Sequence, residues 1–183
     1  MSHSITSIDR TTLPEALLPL AKAHMRVTFT DDDEVITKYL QFAIAYFEQF
    51  SGWRVFGADV AWSPVSSASA AASCYRCPVQ PVESFTVMSA AVDVSSQYAL
   101  EKGDPVAPVF LVHSDGTPFP GDAAVSLVAG YTDPDEIEPN ALGDMLRITG
   151  TLYEHRESVT TLSIDQMPGW ANDMITGVWI PRA

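Results

Sequence analysis

The segment Asp31-Asp-Asp-Glu-Val-Ile-Thr-Lys-Tyr-Leu-Gln-Phe-Ala-Ile-Ala-Tyr-Phe-Glu-Gln-Phe50 constrains the fold of this chain more than any other. Its spacing predicts a helix over 31–50. On a wheel of roughly 100° per residue, Val35, Ile36, Tyr39, Leu40, Phe42, Ala43, Ile44, Tyr46, Phe47 and Phe50 cover more than half of the circumference. A surface helix needs an apolar stripe of only about 100°. An arc this wide predicts burial on two sides, one against the helix's own core and one against a second surface. Thr30 with Asp33 has the form of a capping box, and the acids Asp31 to Glu34 suit the positive end of the helix dipole. A calcium loop would need alternating ligands, a central glycine and a distal glutamate; the acidic run has none of these.

The rest of the chain arranges itself around that helix. Leu17 to Met25 reads as a short helix with Pro19 in its first turn, and residues 1–12 as a loose polar terminus. From Trp53 to Tyr131 the pattern changes to short β-branched and aromatic runs punctuated by Gly, Pro, Asp and Ser, as expected of strands. Ser63 to Ser73 is a low-complexity Ser/Ala loop. Pro139 fits the first position of a third helix running to Glu157, and a short helix is expected at 169–177. The predicted class is α+β: a helical core of two N-terminal helices, a long third helix and a short C-terminal one, carrying an inserted small antiparallel β element. The whole of 1–183 reads as one domain, with the β insertion at 53–131 and extended termini at 1–12 and 178–183.

Bulk properties exclude several functions. A net charge of −13 argues against binding DNA or anionic membranes, both of which need a cationic patch. No run approaches 18 apolar residues, and the N-terminus lacks the pattern of a signal peptide, so synthesis in a reducing cytoplasm is expected. Cys74 and Cys77 form a single Cys-x-x-Cys without the second ligand pair of a zinc site. Two bystander thiols near a strand edge are expected, with no metal and no cofactor.

Leu152-Tyr-Glu-His-Arg-Glu-Ser158 has the composition of an active site but not its geometry. Consecutive helical residues point about 100° apart, so Glu154, His155, Arg156 and Glu157 fan around the helix rather than converge. The core stripe reads Leu142, Met145, Leu146, Thr149, Leu152 and Tyr153. No nucleophile elbow, P-loop or dinucleotide fingerprint occurs. A Ser/His/Asp set around His113 and Asp115 has no motif to support it, so no catalytic residue is expected and the chain does not read as an enzyme. Another face of the third helix carries Gly143, Arg147, Gly150 and Glu154; two glycines on one face permit close approach by a packed helix, from this chain or an adjacent subunit.

Three segments together resemble the small head–tail connector (adaptor, or head-completion) proteins of long-tailed double-stranded DNA bacteriophages and gene transfer agents. They are the stretch 18–53, with its Lys-x-His-x-Arg-Val entry, acidic cap and aromatic-rich helix ending before Gly-Trp; Cys77 to Met88, with its Pro-Val strand entry; and Val125 to Ser158, closing in Tyr-Glu-x-Arg-Glu. The terminal Val178-Trp-Ile-Pro-Arg-Ala is similar to the family's basic tail. The resemblance implies a virion protein of the head–tail joint, made in the host cytoplasm, without catalysis or cofactor. It implies a homo-oligomeric ring, generally of twelve copies, below the portal protein ring, with a further neck or tail-terminator component as partner. DNA would pass through the channel without specific binding, and no membrane is involved. Tyr39, Phe42, Tyr46, Gly143, Arg147, Gly150, Glu154 and His155 are then candidate subunit contacts, and Val178, Trp179, Ile180, Pro181 and Arg182 a candidate portal contact. The alternative is a small-ligand or carbohydrate binding module with Trp53, Trp62 and Tyr75 near its loops.

Overall fold

Apolar side chains recur at helical spacing in three stretches of the chain and at strand spacing between the second and third. The computed structural model, which describes residues 2–63, 74–102 and 108–154, resolves these into three α-helices and eight β-strands. The chain divides into two compact units: Arg10–Val55 with Tyr131–Ala183, and Met1–Asp9 with Phe56–Gly130.

The first unit holds the helices α1 (Thr12–Met25), α2 (Asp33–Ser51) and α3 (Pro139–Glu154). α1 begins five residues earlier than the spacing from Leu17 predicts. Pro14, not Pro19, occupies its first turn, where a missing N–H has no intrahelical acceptor to lose. Pro19 therefore lies inside the helix, on an exposed position. Burial of Leu13, Leu17 and Ala21 offsets the hydrogen bond that it removes. Arg26 ends α1 in the left-handed region, with its own N–H bonded to Ala23 O and that of Val27 to Lys22 O, a Schellman closure. α2 stops at Gly52, at φ 76°. Glu48 then fastens the exit: one carboxylate oxygen accepts from Arg54 Nη1 at 2.6 Å, the other from Val55 N at 2.7 Å.

The second unit is a pair of antiparallel sheets over one core. The strands are β1 (Ser2–Asp9), β2 (Gly57–Ser63), β3 (Cys74–Arg76), β4 (Val82–Ser89), β5 (Val92–Asp93), β6 (Tyr98–Glu101), β7 (Phe110–His113) and β8 (Ala124–Ala129). Five form a sheet in the order β1-β2-β8-β4-β5, and three a sheet in the order β3-β7-β6. The inward residues of β2 (Ala58, Val60, Trp62) and β8 (Val125, Leu127, Ala129) alternate with exposed ones. Val60, Trp62, Leu127, Val87, Tyr98 and Leu111 share a core with the edge-on Tyr75–Phe119 ring pair. Residues 2–9 are thus paired strand rather than a loose terminus. Their polar composition hides this because an edge strand buries little of itself, and residues 3–7 stay exposed.

Gly130 permits the return from β8. Its φ is +94°, and an added Cβ would lie 2.2 Å from Phe56 O. Ala90 and Ala91 turn the β4–β5 hairpin with φ of 49° and 62°. Two left-handed residues make the hairpin turn whose twist matches its strands, but each non-glycine costs roughly 1–2 kcal/mol there. Asp122 holds the tip, accepting from Ser89 Oγ at 2.9 Å and Ala90 N at 2.7 Å. Ala91→Gly should therefore stabilise the protein by about 1 kcal/mol, read as a higher midpoint in chemical denaturation; a lower midpoint would contradict this account of the turn.

Candidate subunit-interaction surface

The acidic start of α2 is a junction of the helical unit. Asp33 accepts from Lys22 Nζ of α1 at 2.5 Å. Asp32 accepts from the Tyr153 hydroxyl of α3 at 2.7 Å, across 121 residues of sequence. The expected capping box does not form: neither Thr30 nor Asp32 makes a side-chain cap, and Asp33 N bonds instead to the Thr30 carbonyl. Asp32 and Asp33 are committed to side chains of the flanking helices, which leaves the backbone to close its own first turn.

α2 carries two apolar stripes. Ile36, Leu40, Ala43, Ile44 and Phe47 are buried within the chain. The second stripe runs Val35, Tyr39, Phe42, Tyr46, Phe50, a spacing of three and four that keeps one face in register. Phe42 is 43% exposed and Val35 is also exposed, while Tyr39 and Phe50 are half-buried. Tyr46 is buried and lies between Phe42 and Phe50, with ring centroids 6.2 and 4.6 Å away. Of the three residues of α2 assigned to a subunit contact, Phe42 is displayed, Tyr39 is partly displayed, and Tyr46 backs them from inside. Leu20 and Phe29 of the same helical unit are also exposed.

The glycine face of α3 is split. A Cβ on Gly150 would make ordinary contact, 3.8 Å, with His24 Cδ2 and Met25 Cγ, so this glycine faces α1 of its own chain. A Cβ on Gly143 would meet nothing within 4 Å. Arg147 and Glu154 are exposed. His155 and the whole of Val178–Arg182 lie outside the described residues, as do Arg156 and the expected helix at 169–177. Of the Leu152–Ser158 stretch, residues 152–154 are described: Leu152 is buried in the core, Tyr153 holds Asp32, and Glu154 is exposed.

Other chemical candidates are absorbed by structure. His113 is buried; its Nδ1 accepts from Asp115 N at 3.2 Å and lies 3.0 Å from Thr117 Oγ1, so it organises a turn rather than a triad. Cys77 is buried, and burial with the nearby Cys74 pushes its thiol up to about 12, far from a reactive thiolate. Trp53, Trp62 and Tyr75 are all buried: Trp53 sits against Tyr131, and the other two belong to the β core. They offer no open aromatic platform for a sugar.

The sequence gives no sign of Asp144, a carboxylate buried on the inner side of α3. Burial raises its pKa, and Arg147 opposes the rise only in part. A raised carboxyl favours the folded state fully below the ordinary carboxylate range and loses that advantage as pH climbs through the raised value.

No protein-family model and no curated protein matches the chain. Solved structures do. A chain of "Neck of empty GTA particle computed with C6 symmetry" matches with TM-score 0.68 and 17% identity. A chain of "Virion of native gene transfer agent (GTA) particle" matches with TM-score 0.68 and 19% identity. A chain of "Neck of native GTA particle computed with C12 symmetry" matches with TM-score 0.66 and 17% identity. Each match covers 100% of this chain and 97% of the other.

Two measurements check the site. Tyr153→Phe should destabilise the protein by about 1.5–3 kcal/mol, the range for a hydrogen bond to a charged group, in urea titration; no change would mean that the Asp32 contact contributes nothing. Asp144→Asn should raise stability at pH 7, and its advantage should shrink as pH falls through the raised value of Asp144 and be gone below about 4, the ordinary carboxylate range; a difference that does not vary with pH would contradict a raised Asp144. At 17–19% identity the likeness is one of fold, and from end to end this chain has the fold of chains found in the necks and virions of gene transfer agent particles.

Proposed function

We propose that this chain is a structural virion protein of a head–tail joint. Copies stand side by side in a ring below the portal, twelve in number, and continue the channel through which DNA leaves the head. The observation that supports this reading is the fold match to neck chains, which covers 100% of this chain and 97% of theirs. The second stripe of α2 supports it. Val35, Tyr39 and Phe42 offer a neighbouring copy an apolar contact, and Tyr46 stacks on the Phe42 ring from behind. The net charge of −13 suits a channel that repels phosphate, so DNA slides past without specific binding. Portal protein and a further neck or tail-terminator component are the partners, and the terminal segment Val178–Arg182 makes the portal contact. No catalysis and no cofactor enters this function.

The test uses the purified chain with its cognate portal ring, viewed by negative-stain electron microscopy. Wild-type protein should add a ring to the portal. Phe42→Glu changes an exposed position, so it should leave stability within about 0.5 kcal/mol yet lower ring formation at least about tenfold, as loss of about 1.4 kcal/mol per contact would. Rings that form equally well with the variant would remove α2 from the interface.

A further inference from the structure

The five-stranded sheet has an unusual border. β1 is its terminal strand and pairs with β2 along its whole length, from Ser2↔Ser63 to Asp9↔Gly57. It is eight residues long, whereas the other terminal strands are short: β5 has two residues, β3 three and β6 four. A long strand edge is a template for another strand, and proteins block such edges with lysine, proline, brevity or a bulge; β1 has a bulge between Ile5 and Ser7, with regular pairing at Ser2–Ile5 and Ser7–Asp9 on either side of it. Ser2–Asp9 contains no Lys, Arg or Pro. The opposite border of the same sheet is incompletely capped: among the described residues β5 pairs with β4 at Met88 and Ser89, Val94 N donates to Val87 O, and Val87 N donates to Ser95 Oγ.

We infer that the outer edge of β1 docks a second copy of this chain, pairing antiparallel with the outer edge of β4, residues 82–86, so that the sheets of adjacent copies join. This rests on the ring reading and assigns it a specific contact. Strand direction supports the partner chosen. β1, β2, β8 and β4 alternate in direction, every pair being antiparallel. Four alternating strands leave β4 running opposite to β1. Copies related by rotation about a ring axis keep the same strand direction along it, so β4 of one copy meets β1 of the next antiparallel. An odd number of strands would force parallel pairing. The contact is head-to-tail, the kind that closes rings. A β1–β1 pair would instead be two-fold and would stop at a dimer.

Side chains suit the join. Ser4 of β1 and Ser84 and Thr86 of β4 are small, exposed hydroxyl residues, which pair well across strands, while Thr6 and Ser7 donate to Asp59 of their own chain. Copies that each carry a net charge of −13 repel, so a contact needs stretches low in charge; Asp9 and Glu83 are the acidic residues of the two edges.

The test places cysteines at Ser4 and at either Ser84 or Thr86, in a Cys74→Ser background, in the chain assembled on portal rings. Mild oxidation should give a ladder of covalent oligomers beyond the dimer, with mass spectrometry finding residue 4 linked to 84 or 86 of another copy. Independently, Ile5→Lys should fold as wild type by circular dichroism and reduce ring formation at least tenfold. Portal-bound rings that form but give no such cross-link would overturn this contact while leaving the ring reading intact. So would residue 4 linked only to residue 4, to the portal, or to residues 155–183. Failure of the wild-type chain to form any ring on the portal would overturn both.

Discussion

The helical unit depends on how the acidic start of α2 is neutralised. Four consecutive acids, Asp31 to Glu34, repel one another and gain only modestly from the helix dipole when exposed. Asp33 takes the Lys22 ammonium and Asp32 the Tyr153 hydroxyl, so one end of α2 is fixed to both neighbouring helices. At the other end, Glu48 receives Arg54 and the Val55 N–H, and Tyr131 N bonds to Val55 O. Tyr131 is itself half-buried. Burial, and then Glu138 and Glu136, raise its phenol to about 12, so it stays neutral beside Trp53. With both ends tied, the inner stripe of α2 is committed to the core, and the position of Phe42 follows from it.

The helices were legible because their apolar spacing is regular and their ends are marked: Pro139 begins α3, and Gly52 ends α2. The strands were legible in part. β1 and β4 each carry a bulge, between Ile5 and Ser7 and between Val82 and Ser84. A bulge inserts one residue and reverses which side chains face inward. Ile5 and Ile8 are three apart, yet they pair with Val60 and Ala58, both inward-facing residues of β2. Val82 and Phe85 are likewise three apart and oppose Ala129 and Leu127. A period of two cannot be read through such insertions, so Ser2–Asp9 passed for a loose end. β3 was hidden for another reason, being only three residues long.

The candidate surface was legible at one level and hidden at another. The breadth of the apolar arc on α2 announced a second apolar stripe, and Phe42 is its most exposed aromatic residue. The sequence could not say that Tyr46 turns inward between Phe42 and Phe50, because it shares their aromatic character and their spacing along the second stripe. Nor could it say that Gly150 receives His24 and Met25 from α1 of its own chain. The Asp32–Tyr153 bond joins residues with no local signal of each other. These are long-range choices made by packing, and they make Tyr153, from a stretch with the composition of an active site, a brace between helices.

Side chains that carry chemistry in other proteins serve cohesion here: His113 a turn, Cys77 a core, Tyr153 a helix junction. What the helical unit leaves outside is an apolar stripe, with Val35 and Phe42 exposed and Tyr39 half-buried, which the proposed assembly would cover. Hydroxyl-radical footprinting of α2, in the free chain and in the chain bound to its portal, tests that claim most directly. The account predicts that Phe42 is labelled in the free chain and loses most of its labelling on assembly, with Tyr39 following in smaller measure. Equal labelling of Phe42 in both states would contradict it.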